Sequence, residues 1–209
     1  VSILDRLACA QQRRDEIPNQ ELAHNLAATK DAAAIREVAE NLWNKDPNIQ
    51  ADCLKVLYEI GYLDPALIAP YADDFVKLLK SRNNRMVWGA MIALSTIGRQ
   101  AADTLYPQVE AIQKVMQRGS VITVDAGVAA LAGIASSSPA RGETIFPYLL
   151  HHLETCRPKD VPQHAEKSLP AVRAENRAVF VAVLQKRMDD LLGAQVKRVE
   201  KVIRAAELP

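Results

Sequence analysis

Little in this chain of 209 residues favours an extracellular disulfide scaffold. Its three cysteines, Cys9, Cys53 and Cys156, are odd in number and lack CxxC spacing. They read as reduced thiols, which places the protein in the cytoplasm. No basic segment followed by an apolar core opens the sequence, so no secretory signal is expected. The apolar runs are too short and too interrupted for a membrane span. Neither sign of charge dominates: 26 Lys and Arg against 25 Asp and Glu leave a formal charge of +1. A strong global field for nucleic acid or anionic lipid is therefore excluded, though a local patch is not. Glycine, at 8 residues, and aromatics, at 5%, are also scarce. Alanine is plentiful instead, as close-packed helices prefer.

What is present is repetition. Ile60, Ile97 and Ile134 recur every 37 residues, as do Leu57, Leu94 and Leu131. Asp46, Asn83 and Ser120 keep the same step, each a good N-cap before an apolar run of helical period. A fixed interval of this length marks a helical solenoid, in which each unit buries its apolar face only against its neighbours. The spacing predicts an all-α, right-handed α-α superhelix of about five to six helical pairs.

Helices are expected over Asp46–Gly61, Asn83–Gly98 and Ser120–Ala135, alternating with Pro65–Lys80, Ala102–Arg118 and Gly142–Cys156. Gly61 is expected to end its helix in the left-handed conformation. Pro70 and Pro107 stand one period apart, and Pro147 and the cap candidate Asp160 follow after a step of 40 that absorbs the turn Ser136-Ser137-Ser138-Pro139. Upstream, Gln20–Thr29 and Asp31–Trp43 read as helices, with a helical capping element at Ser2–Gln12. Downstream, Pro170 should break the Asp160 helix near Leu169, a long helix should run from Ala174 to Leu192, and Gln195–Ala206 should close the array. The whole of 1–209 thus reads as one repeat domain. Residues 1–30 form an N-terminal cap, 31–156 the best-defined repeats, and 157–209 a C-terminal repeat and cap.

With early prolines at Pro70, Pro107 and Pro147 and caps at Asp46, Asn83, Ser120 and Asp160, the chain resembles the HEAT-repeat proteins, an armadillo-like α-α superhelix family. The resemblance is carried by Asp46-Pro47, by Cys53, Ala90 and Gly127 at the small position, and by the Leu57/Ile60 series. It covers about Asp31 to Cys156 well and the ends loosely. One departure is that Gln50, Val87 and Val124 stand where the family often places an arginine. The resemblance implies a scaffold or adaptor whose second helices line a concave surface, although some members are alkylpurine DNA glycosylases.

If Leu57, Ile60 and their counterparts face the core, the opposite face of each second helix lines a groove. That face carries Trp88, Gly89, Ile92 and Ser95, then Asp125, Ala129 and Ala132, and on the preceding helix Asp52, Lys55, Tyr58 and Glu59. Trp88, Ile92, Tyr58 and Asp125 are expected as groove residues, with Lys55 and Asp52 at the rim, binding a peptide or helix of a partner protein. Packing of Trp88 in the core is the competing reading. A nucleic-acid-binding alternative rests on Lys45, Arg82 and Lys159, in register at the turns, and on the pair Trp88 and Asp125. Cation stabilisation of helix C-termini explains the basic row without a ligand, and the groove lacks the Lys/Arg density that phosphates demand.

No cofactor is expected, and nothing compels an enzyme. The run His151-His152-x-Glu154-x-Cys156, with His164 beyond the turn, has metal-like residue types, with His152 and Cys156 at i, i+4. No second ligand pair stands at recognised spacing, so ordinary surface histidines and a core Cys156 are expected, with no metal. A Cys–His nucleophile pair from the same residues lacks an orienting third group. Acidic residues crowd the first half and basic ones the last helices, which reads as solvated faces.

Overall fold

The structure is a computed structural model and describes residues 2–208. Its helices, in order, are α1 (Ile17–Thr29), α2 (Ala32–Glu40), α3 (Pro47–Leu63), α4 (Ala72–Leu78), α5 (Asn84–Ile97), α6 (Ala102–Leu105), α7 (Val109–Arg118), α8 (Val121–Ser136), α9 (Pro139–Thr155), α10 (Val161–Ser168), α11 (Ala174–Arg187) and α12 (Ala194–Glu207). Short 3-10 turns join several of them, and no strand occurs among the described residues.

The repeat interval sets the architecture. Asp46, Asn83 and Ser120 each occupy an N-cap with extended backbone, and their side chains accept from the amides of Asn48, Arg85 and Thr123. Each satisfies one amide that the first turn leaves unpaired. Leu57, Leu94 and Leu131 are fully buried, as are Ile60, Ile97 and Ile134. The three helices so capped stack directly, α3 on α5 and α5 on α8. The row extends at its ends through α1 on α3, α8 on α10 and α10 on α12, where no side chain caps α1, α10 or α12. A second row flanks them, with α2 against α3, α4 against α5, α7 against α8, and α9 against α8 and α11. Buried side chains form one continuous core from Ile3 to Ala206.

Three departures from the expected boundaries have physical causes. Gly61 does not end its helix; α3 continues through it to Leu63. A Cβ at Gly61 would collide with the Thr96 hydroxyl and lie 2.7 Å from Ile68, so this glycine lets α5 approach rather than stopping α3. Gly98, one period later, repeats the device, since a Cβ there would lie 2.7 Å from the carbonyl oxygen of Ala130. The expected helices over Pro65–Lys80 and Ala102–Arg118 are each broken by 3-10 turns at Ala69–Tyr71 and Tyr106–Gln108. Pro70 and Pro107 lie in those turns, where a missing N–H and a ring clash with the preceding turn interrupt the α-helix. At the third position α9 instead runs unbroken through Pro147 and begins at Pro139, three residues before Gly142, with Ser138 as its cap.

The ends follow the sequence from Gln20 onward, except that α11 stops at Arg187 rather than Leu192 and a 3-10 turn over Met188–Asp190 takes over. The helix after Asp160 ends at Ser168, and a 3-10 turn holds Pro170. Gly193 adopts φ +50° and starts α12. The N-terminal segment differs: only Ile3–Arg6 forms a 3-10 turn, and the rest to Glu16 is turns and irregular backbone. It is held by the Ala8 amide donating to Asn19 Oδ1 at 3.0 Å and the Cys9 amide donating to Asp52 Oδ2 at 2.8 Å.

Candidate partner-binding groove

Across the stacked helices of the first row lies an open cavity of about 460 Å³. Tyr62 and Gly61 reach it from α3, Ile92, Ser95 and Thr96 from α5, Ile122, Asp125 and Ala129 from α8, and Lys167 from α10. Tyr62 is 60% exposed and Ile122 47% exposed, high values for side chains of their size. Asp125 is the polar centre. Its carboxylate takes a hydrogen bond from Gln163 at 2.5 Å and pairs with the Lys167 ammonium. The cavity therefore presents apolar walls around a charge pair that is already neutralised.

Of the six side chains expected in or beside the groove, Ile92 and Asp125 line this cavity. Trp88 is half-buried, its ring 6.5 Å from that of Tyr58, which in turn meets Tyr62 edge-on at 6.2 Å. The three rings make an aromatic row that leads to the cavity, but Tyr58 itself is buried beneath it. Asp52 and Lys55 are not at a rim. Both are buried, because the N-terminal segment and α1 cover this part of α3. Asp52 holds the Cys9 amide, and Lys55 bridges Glu59 at 2.5 Å and Glu16 at 2.9 Å. Burial pushes the Lys55 ammonium down, but its bonds to Glu59, Glu16 and Tyr58 outweigh that and leave its pKa raised.

Ala132 and Gly89, also assigned to the inner face, are buried in helix contacts. Reasoning from sequence misses Tyr62, Ile122 and Lys167. Tyr62 is lost when Gly61 is read as a terminus, and Lys167 when no inner face is drawn on the helix after Asp160. Ile122 sits only two residues after the Ser120 cap, and its place on the helical wheel relative to Asp125 and Ala129 is a usable signal.

Lys45, Arg82 and Lys159 are exposed at three of the turns, the α7–α8 turn between the last two carrying no counterpart among them, and none of the three lines the cavity. With its carboxylate bonded to Lys167 and Gln163, Asp125 is not poised against a developing positive charge beside Trp88. Burial favours the protonated form of all three thiols. Burial pushes Cys9 up to about 11 and Cys53 to about 12, and raises Cys156 despite the pull of Arg187.

The histidines divide. His151 is exposed, as expected of a surface residue, whereas His152 is half-buried and His164 buried. His152 Nε2 and His164 Nδ1 lie 3.0 Å apart. Burial, and then the neighbouring His164, hold His152 down at about 4, and burial also lowers His164. Both shifts favour the neutral ring.

A designed armadillo repeat protein in complex with the peptide (KR)4 superposes with a TM-score of 0.68 at 16% identity, over 90% of this chain and 84% of that one. A second designed armadillo repeat protein gives 0.66 at 14% identity, over 98% of each chain. The fold is a HEAT/armadillo-like repeat solenoid. An engineered protein of 22% identity also superposes, at 0.63 over 98% of this chain and 95% of that one. No family model and no curated protein sequence matches the chain. Among the described residues of this solenoid, no helix is long and apolar enough to cross a membrane.

Proposed function

We propose that the protein is a non-catalytic scaffold that captures an extended or helical segment of a partner protein along the first row of its helices. The observation that carries this reading is the cavity across α3, α5, α8 and α10, with the large side chains of Tyr62 and Ile122 left exposed around Ile92. Apolar and aromatic side chains in a concave, water-excluding setting supply most of the energy of such interfaces. The designed relative that carries a peptide supports the same use of this architecture. Its peptide is made of cationic residues, whereas the carboxylate at the centre of this groove is already matched by Lys167. The segment captured here is therefore apolar and aromatic rather than basic.

The test is selection of displayed peptides against the wild-type protein, followed by affinity measurement on Tyr62→Ala and Ile122→Glu. Loss of one buried anchor at an interface centre costs roughly 2 kcal/mol, or more than about 10-fold in Kd. Both variants should lose at least that much while their melting temperatures stay within about 3 °C of wild type, as surface substitutions do. Selected peptides that bind both variants as tightly as wild type would remove the groove from the account.

A further inference from the structure

A second set of side chains converges at the edge of the solenoid, outside the groove. His152 lies in the last turn of α9, Cys156 caps that helix one turn later, and His164 enters from the first turn of α10 across the Arg157–Asp160 turn. Their donor atoms, one from each residue, all fall within 4.8 Å of one another. We propose that His152 Nε2, His164 Nδ1 and Cys156 Sγ bind a divalent transition metal of the zinc class, which staples α9 to α10.

The donor set is one soft thiolate and two imidazoles, the combination that zinc accepts at three protein positions of a tetrahedron. With metal–nitrogen bonds of about 2.0 Å and metal–sulfur bonds of about 2.3 Å, tetrahedral geometry needs donors roughly 3.3–3.6 Å apart. The two nitrogens stand at 3.0 Å and need to open by a few tenths of an ångström, whereas the widest separation in the trio, 4.8 Å, involves the sulfur, which must swing in by about an ångström. Cys156 Sγ makes a long contact of 3.8 Å to the Leu153 carbonyl and lies beside the Arg187 guanidinium, which favours the thiolate.

The surroundings hold the ligands in place. Buried Arg187 donates to the carbonyls of Leu153 at 2.6 Å and Cys156 at 2.9 Å, which fixes the turn that carries the thiol. The other ring nitrogen of His164, Nε2, faces Asp125 Oδ1 at 3.8 Å. That is beyond hydrogen-bond reach, and an approach of under an ångström on metal binding lets the carboxylate accept the Nε2–H and orient the ring. The fourth position opens on a cavity of about 310 Å³ lined by Thr155, Asp160, Val121 and Val124, with room for a water ligand. Asp160 is engaged there by Arg157 at 2.7 Å. On binding, the Cys156 thiol releases its proton to solvent as the metal–sulfur bond forms. His164 carries its single proton on Nε2, toward Asp125.

The experiment uses tag-free, chelator-stripped protein titrated with Co²⁺. One equivalent should produce the visible bands of four-coordinate cobalt together with a near-ultraviolet thiolate-to-cobalt band, and Zn²⁺ should displace both. Cys156→Ser should lose the thiolate band, and His152→Gln should weaken binding by about 100-fold or more, beyond the usual loss for a supporting residue. His151→Ala, one position away and exposed, should match wild type. Absence of the thiolate band in the wild-type protein overturns the proposal without need of any variant. So does its persistence in Cys156→Ser, or equal weakening by His151→Ala.

Discussion

At the scale of single residues, burial decides which polar groups serve the fold and which remain available to a partner. Lys55 illustrates the first kind. It has the helical phase of a groove residue, yet the N-terminal segment lies over it, and its ammonium joins Glu16 on one side to Glu59 on the other. Lys55→Met leaves two carboxylates facing each other at a partly buried site. It should lower the urea midpoint by the equivalent of about 1–3 kcal/mol with an unchanged m-value. Affinity for groove-selected peptides should stay at the wild-type level. Retained stability together with lost affinity would return Lys55 to the rim. Trp88 is of mixed kind, since it closes over Tyr58 while part of it stays accessible. A truncation there disturbs packing and surface together, which makes Tyr62 and Ile122 the cleaner probes.

At the scale of elements, the three caps and two apolar series fix where each inner helix begins and which face it buries. All of that is readable from the 37-residue interval, because capping and helical phase are local properties. What escapes is decided between helices. Gly61 has the composition of a stop signal, and only the neighbouring Thr96 and Ile68 show that it is a contact. Gly98 makes the same point with backbone as its neighbour. Alanine would favour a helix there by about 1 kcal/mol on propensity alone. The added methyl would meet the Ala130 carbonyl, so Gly98→Ala should destabilise by about 1–3 kcal/mol as overpacking does. Thermal and urea unfolding check the sign, and a gain in stability would show that α5 and α8 separate freely. The His152–Cys156–His164 convergence is legible in residue type but not in distance, since it depends on how the Arg157–Asp160 turn folds α10 back on α9.

At the scale of the whole molecule, stacking of like units produces a surface that no single unit possesses. The groove takes side chains from four helices of one row, drawn from residues 61 to 167. Its chemistry therefore follows from the register between repeats more than from any motif. The most direct measurement is backbone and methyl NMR of the labelled protein with a selected peptide added. Shift changes are predicted to concentrate at Tyr62, Ile92, Ser95 and Ile122 and to leave α4, α7 and α11 unmoved. Changes centred on that flanking row, or on the exposed turns at Lys45, Arg82 and Lys159, would contradict the account.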